Sequence, residues 1–381
     1  MSITRFYLPT RFIVGPGSLN NLGKEASRFG DAAILVTGRA SMRRTGVLEK
    51  VIKGLEEKGV KSVIFDEVEP NPRSSTIDKG AQLARKSGAR MVIGLGGGSS
   101  MDAAKCIALA SSGSESIWSH YEKKVSVTGG MLPIILVPTV TATGSEGNNG
   151  AVLTNWETHE KVVIFNDKIY PAVSIVDPAL TLSVPAKTTA RGGVDIFCHL
   201  VEYYISAHET TLINDSIREA CMRTVVETLP QVLAKPADIE GRSRLSWACT
   251  MACSQFTWTL GGGTGLTPMH GIQHPLSAIY DIAHGDGLAT LLIAWMKHTL
   301  PAREERFKAL GQNVFGETDG IVATEKWLAK IGMNIRLRDL GVKEADFDEL
   351  VSNALRTAPW VTFNPTPLGA PEIKAVYKKS Y

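Results

Sequence analysis

The sequence predicts an α/β domain built on a parallel sheet, followed by an all-helical domain. Three observations carry this reading. The first half alternates apolar strands with helical stretches, the pattern of a parallel sheet with helices on both faces. Near residue 180 the strands stop and long amphipathic segments take over. The 381 residues are too many for one ordinary core. Two domains are therefore expected, over 1–182 and 183–381.

The elements follow in order. "AAILVTG" (32–38) is apolar, β-rich and ends at glycine, so it reads as a strand. "TGVLEKVIKGLEEKG" (45–59) has helical period and stops at Gly59. "VKSVIFDEV" (60–68) is a second strand and leads into the turn "EPNPRS". "TIDKGAQLARKSG" (76–88) is helical, and "ARMVIGLGGGSS" (89–100) is a buried strand running into glycines. "MLPIILVPT" (131–139) and "AVSIVDP" (172–178) complete the strands. Helices are expected from 192 to 204 and over 211–234, 241–260, 286–300 and 320–333.

Composition narrows the function classes. Hydrophobic residues make up 44% and charged residues 21%, ordinary for a soluble globular protein. The formal charge of +3 is small and there is no block of like charges, which argues against nucleic acid or an anionic membrane as partner. The N-terminal stretch lacks the apolar core of a signal peptide, and no apolar run reaches the length of a membrane span. Five cysteines without framework spacing suggest a reducing compartment, so a cytoplasmic protein is expected. Cys249 and Cys253 read as small buried apolar residues.

Two loops in the first domain suit a ligand. In "IGLGGGSSMDAAKCIALA" (93–110) a strand runs through Gly96, Gly97 and Gly98 into a helix. Glycines let backbone N–H groups approach a ligand closely, and a helix N-terminus offers free donors and partial positive charge. Ser99 is read as the helix cap. The expected guest is a phosphate or pyrophosphate, although the spacing is neither G-x-G-x-x-G nor Walker A. "VPTVTATGSEGNNGAV" (137–152) again follows an apolar strand, where α/β proteins place ligands.

The second domain gathers potential metal ligands. Three of the chain's eight histidines, His270, His274 and His284, fall in "MHGIQHPLSAIYDIAHG". His270 and His274 are one helical turn apart. Upstream, Asp195, His199 and Glu202 in "GGVDIFCHLVEYY" sit at i, i+4 and i+7 on one helix face. A charged Asp in so apolar a run needs a partner. Imidazoles with a carboxylate are the usual donors to a divalent metal, so Asp195 and His199 with the three later histidines make four or five potential ligands for such a site. His120, His159, His208 and His298 are isolated and expected at the surface. Phe256, Trp258 and Trp360 read as buried packing residues, with an apolar substrate pocket as the alternative.

Taken together, "GGGSSMDAAK", "PTVTATGSE", "GGVDIFCHLVEYYIS" and "MHGIQHPLSAIYDIAHG" give the chain a clear likeness. In order and separation it resembles the iron-containing (group III) alcohol dehydrogenases over essentially its full length. The resemblance implies a Rossmann-like dinucleotide-binding domain followed by a helical metal-binding domain, as in the dehydroquinate synthase-like fold. It implies a divalent metal, Fe2+ or else Zn2+, on Asp195, His199, His270 and His284. His274 matches the family's histidine near the nicotinamide and is the implied proton relay. The resemblance also puts the pyrophosphate on Gly97, Gly98 and Ser99, with Asp102 nearby. Further cofactor contacts fall on Asn71, Thr139, Thr143 and Lys161. Val140–Thr141 departs from the family's usual Thr followed by a small residue.

The implied activity is reversible hydride transfer between a short-to-medium-chain primary alcohol, or its aldehyde, and NAD(P), in a homodimer. A polyol dehydrogenase of the same superfamily is the alternative, and a non-catalytic nucleotide- and metal-binding protein is the alternative of another class. NAD-using members often carry Asp just after the strand that matches "AILVT". Here Gly38 stands there, followed by Arg39, Ser41, Arg43 and Arg44. A guanidinium accepts a 2′-phosphate where an acidic residue repels it, so NADP(H) is expected over NAD(H).

Overall fold

The structure is a computed structural model, and it describes residues 5–125, 130–258 and 267–381. One compact unit comprises Leu8–Thr158 and Val162–Val184. The strands are β1 (Arg11–Val14), β2 (Ala32–Gly38), β3 (Lys61–Val68), β4 (Met91–Gly96), β5 (Ile134–Pro138), β6 (Gly150–Asn155), β7 (Glu160–Phe165) and β8 (Val173–Val176), all in this unit except the first two residues of β7. Six of them form one parallel sheet in the order β1-β8-β5-β4-β2-β3.

Strand alternation explains why the sheet is apolar on both sides. Ile34, Val36, Val92 and Leu136 join one core with Ala104 and Ile107 of the Gly98–Ser111 helix. Leu35, Ile93, Val137 and Ile175 face the other way and join Val51 and Leu55 of the Val47–Glu56 helix. The register pairs Thr37 with Leu95 and Gly96 with Pro138. The carboxyl ends of β2, β4 and β5 therefore lie side by side, and the two candidate ligand loops leave from this edge.

Several elements escaped the sequence reading, among them three strands and the helices Ile117–Glu122, Phe347–Thr357 and Ala370–Lys379. β1 is a four-residue edge strand, too short to show alternation. β6 and β7 form a two-stranded ribbon of their own, joined through His159 in a left-handed conformation (φ 52°). The expectation for Ser99 is also corrected. The helix begins at Gly98 with Gly97 as its cap, and no side chain caps it. Ser99 therefore sits inside the first turn, one residue too late to cap.

The other unit groups Pro185–Tyr381 with His159–Lys161 and the N-terminal residues up to Tyr7. Its long helices are Ala186–Ser206, Leu212–Ala234, Ile239–Ala252, Pro268–Tyr280, His284–Leu310, Gly320–Lys330, Phe347–Thr357 and Ala370–Lys379. Their shared core includes the fully buried Phe197, Trp295, Phe347 and Tyr377. The helix expected over 241–260 ends at Ala252, and a short turn, Gln255–Trp258, follows; residues 259 and 260 lie outside the described residues. Cys249 and Cys253 are buried free thiols, as expected. Trp258 is buried, and Phe256 packs edge-on against Phe6 with ring centroids 5.1 Å apart. His159 and His208 are exposed and His298 is partly so, but His120 is buried. It sits three residues after the buried Ile117 in a one-turn helix, and this spacing turns both side chains inward. Among the described residues no helix is long and apolar enough to cross a membrane.

Candidate functional site

The helix Ala186–Ser206 carries Asp195, His199 and Glu202 on one face. His270 and His274 share a face of the helix Pro268–Tyr280, and His284 opens the next helix after a tight turn at Asp281 (φ 54°). Close helix contact holds this arrangement. A Cβ on Gly285 would fall 2.5 Å from the Arg191 carbonyl oxygen. Arg191 Nε also donates to Asp286 Oδ1 at 2.8 Å, and a second bond joins Nη2 to Oδ2. This fork ties the start of the His284 helix to the helix that carries Asp195.

The side chains gather around Asp195. Its Oδ1 lies 3.5 Å from His270 Nε2 and 3.5 Å from His284 Nε2, and the His199 ring stands beside it with Nδ1 at 3.2 Å. Ligand atoms from Asp195, His199 and His270 lie within 4.8 Å of one another. Asp195 Oδ1 and His270 Nε2 are buried and have no hydrogen-bond partner among the described residues. Buried polar atoms are ordinarily paired, and two orphans of this kind facing each other suit a cation between them.

The imidazole partners agree with that reading. His199 Nδ1 bonds the Asp195 carbonyl oxygen at 2.9 Å. His270 Nδ1 bonds the Glu202 carboxylate, and His284 Nδ1 bonds Gln273 Oε1. Each acceptor keeps the proton on Nδ1, which leaves the Nε2 lone pair for a metal. The sequence places Glu202 on the face of Asp195 and His199 without giving it a role. The structure supplies one: its Oε1 also accepts from the backbone N–H groups of Met269 (2.6 Å) and His270 (3.2 Å). Glu202 thus anchors the positive end of a helix while orienting a ring. Gln273 was missed, because a glutamine between two histidines gives no signal of its own. His274 is set apart, since its Nδ1 is buried and unpartnered and its ring bonds the Lys161 backbone rather than a side chain.

Charge completes the fit. Asp195 and Glu202 are 2% and 0% exposed, and two buried carboxylates among neutral imidazoles balance a divalent cation. Without the cation a proton takes part of that place. Burial opposes protonation of His270, but the Glu202 and Asp195 carboxylates outweigh it and raise its pKa to about 9. Burial, with His270 adding to it, pushes His199 down to about 4. Burial and then Lys161 hold His274 and His284 well below the ordinary imidazole value. At pH 7 His270 is therefore the protonated ring of the four, and metal uptake must expel that proton. We expect release of about one proton per metal at pH 7. Apparent affinity should fall as pH drops below about 9, because the proton then competes for the same lone pair. Titration calorimetry in buffers of different ionisation enthalpy counts the protons, and a count near zero contradicts this account.

In the α/β unit the three glycines play different parts. Gly96 has φ +151°, and a Cβ there would fall 2.6 Å from Ser100 Oγ. A Cβ on Gly98 would fall 2.4 Å from Thr143 Cγ2, so Thr143 rests directly on the helix start. At Gly97 a Cβ would meet only ordinary contact with Val140, at 3.5 Å. Asp102 is buried and accepts from Ser145 Oγ at 2.6 Å and from Val152 N at 3.2 Å. It pins the second loop onto the helix. Lys105, fully buried one turn later, does the same through the carbonyl oxygens of Ser145, Asn148 and Gly150 and through Asn148 Oδ1. The sequence reading missed Lys105. Its signal was a lone lysine in an otherwise apolar helix, which must find partners.

The remaining expected contact residues lie as follows. Thr139 N bonds the Gly96 carbonyl oxygen at 2.9 Å, and its buried hydroxyl has no partner among the described residues. Asn71 is buried in a left-handed conformation (φ 52°). Gly38 ends β2, a Cβ there would meet only ordinary contacts, and Arg39, Ser41 and Arg44 are exposed. Arg43 pairs with Asp66 at 3.1 Å. Lys161 is buried and groups with the helical unit, beside His274 and His284.

Known proteins share this organisation. The model of the iron-containing alcohol dehydrogenases matches residues 9–178, and that of the Fe-containing alcohol dehydrogenase family, C-terminal, matches 189–381. NADH-dependent butanol dehydrogenase B of Clostridium acetobutylicum is 34% identical, with 98% of each chain covered. A probable NADH-dependent butanol dehydrogenase 2 of Bacillus subtilis is 36% identical over 92% of each chain. The crystal structure of NADH-dependent butanol dehydrogenase A from Thermotoga maritima matches with a TM-score of 0.92 at 32% identity, covering 100% of this chain and 99% of that one. The protein is an alcohol dehydrogenase-type oxidoreductase and belongs to the iron-containing alcohol dehydrogenase family.

Proposed function

We propose that the protein interconverts short-to-medium-chain primary alcohols and aldehydes, with a divalent metal and with NADP(H) preferred. The observation that carries the metal is the unpaired Asp195 Oδ1 ringed by three imidazoles. Asp195, His199, His270 and His284 would hold the ion, Fe2+ or Zn2+. Bound there, it supplies a Lewis acid toward the substrate oxygen, while the nicotinamide carries the hydride.

The chain's own residues do the rest. Glu202 and Gln273 aim the rings of His270 and His284. His274 is buried and kept neutral, so it can take a proton at its unpartnered Nδ1 and pass it on. The backbone N–H groups at Gly97 and Gly98, on the positive end of their helix, suit the pyrophosphate. Asp102 and Lys105 hold the neighbouring loop in place for it.

The names of the butanol dehydrogenase relatives support the substrate class. A panel of linear alcohols and aldehydes from C2 to C8, run with both cofactors after metal loading, tests the reading. The expected outcome is the highest kcat/KM with linear aldehydes, abolished by chelation and restored by Fe2+ or Zn2+. Turnover that survives complete metal removal contradicts it.

A further inference from the structure

Gln273 and Ser277 lie one turn apart on the helix that carries His270, and neither is a metal ligand in the reading above. Both are fully buried. Gln273 Nε2 donates to Ser277 Oγ at 2.8 Å, and Ser277 Oγ donates to the Ile282 carbonyl oxygen at 2.9 Å. A carbonyl oxygen only accepts, so the serine proton is committed to Ile282. The serine oxygen must then accept, and only the NH2 end of the glutamine can donate to it. That choice turns Gln273 Oε1 toward His284 Nδ1. An oxygen there requires a proton on Nδ1 and leaves Nε2 bare. The direction of the whole chain is thus dictated by a backbone carbonyl in the turn before His284.

Space is reserved for this chain as well. A Cβ on Gly287 would fall 2.5 Å from Gln273 Nε2 and 2.9 Å from its Cγ. Gly287 lies one turn after His284, on the same helix. Its missing side chain is what admits the amide. An amide needs such an arrangement where a carboxylate would not. A carboxylate presents an acceptor whichever way it turns, as Glu202 does toward His270, whereas a flipped amide presents N–H groups. A flipped Gln273 would favour the tautomer with the proton on Nε2, and that tautomer has no lone pair on Nε2 to offer the metal.

We propose that Gln273 and Ser277 are positioning residues that set the tautomer of His284 and thereby the strength of metal binding. This rests on His284 being a ligand. Outer partners of metal-bound histidines typically change affinity about 10- to 100-fold when removed.

The test titrates the metal-stripped full-length protein with Zn2+ against a chromophoric chelator. Ser277→Ala should weaken Zn2+ binding by about tenfold. In the Gln273→Glu background the same Ser277→Ala change should shift affinity less than about twofold, since a carboxylate has no wrong face. Gly287→Ala, which intrudes on the amide, should weaken binding like Ser277→Ala and serves as the second variant. Wild-type affinity in Ser277→Ala and Gly287→Ala overturns the proposal. So does an equal loss in both backgrounds, because a purely structural defect ignores which group stands at 273. His284→Ala separates the two levels: if it binds Zn2+ like the wild type, the ligand set itself is wrong.

Discussion

His284→Ala is expected to yield a folded protein that has lost its stoichiometric metal and about a thousandfold or more in turnover. A Lewis acid at the reacting oxygen contributes several kcal/mol, and each ~1.4 kcal/mol is tenfold in rate. His270→Ala should do the same and should also leave Glu202 with one fewer donor, although its two backbone bonds to Met269 and position 270 remain. The contrast is His274→Ala. His274 lies on the same helix face as His270, but its Nδ1 is unpartnered and its ring bonds the Lys161 backbone. This variant should keep its metal, lose rate and change its pH profile. Elemental analysis of the three purified variants decides the matter. Stoichiometric metal in His284→Ala removes that residue from the ligand set, and a metal-free His274→Ala adds His274 to it.

The contrast between the histidines shows what was legible in the sequence. Asp195 and His199 were visible because an i, i+4 pair of polar groups in "VDIFCHLVEYY" had nowhere to go in an apolar helix. Glu202 was visible as part of that face. Its role was not, because the backbone donors it meets lie 67 and 68 positions away. Spacing along one helix cannot report an acceptor supplied across a core. The same holds for Gln273 and Gly287, whose meaning exists only once two helices pack. The parallel sheet was legible because its strands are nearly uniform apolar runs. β6 and β7 were not, because Gly150, Asn155 and the turn around His159 look like the polar loop on either side. Ser99 was placed one residue wrong as a cap because glycine can close a helix start without a side chain, and Gly97 does so here. Lys105 was passed over although burial had made it the informative residue: a cation fully inside an apolar helix is paired, and its four acceptors define the shape of the adjacent loop.

Cofactor choice is expected to turn on Gly38 and Arg39. Gly38 ends β2 at the carboxyl edge of the sheet, where an acidic side chain would hold a ribose 2′-OH and repel a 2′-phosphate. The backbone there is not left-handed, and an added Cβ would lie 3.5 Å from the Val68 carbonyl oxygen and 3.9 Å from Ser100 Oγ. Gly38→Asp is therefore a change the fold accepts, which makes it a clean probe of charge. Arg39 follows at once and is exposed. Arg43 is partly engaged by Asp66 and Glu49. Two like charges a few Å apart at a protein surface repel by about 1–3 kcal/mol, so Gly38→Asp should lower kcat/KM for NADPH by roughly 10- to 100-fold and spare NADH. A charge-assisted hydrogen bond contributes about 1.5–3 kcal/mol, so Arg39→Ala should raise the KM for NADPH by about tenfold or more and leave that for NADH nearly unchanged. Steady-state kinetics with both cofactors across several aldehydes measures each effect. A wild-type enzyme with the higher kcat/KM for NADH, or an Arg39→Ala variant that weakens both cofactors equally, shows that this basic loop faces solvent and reads no phosphate.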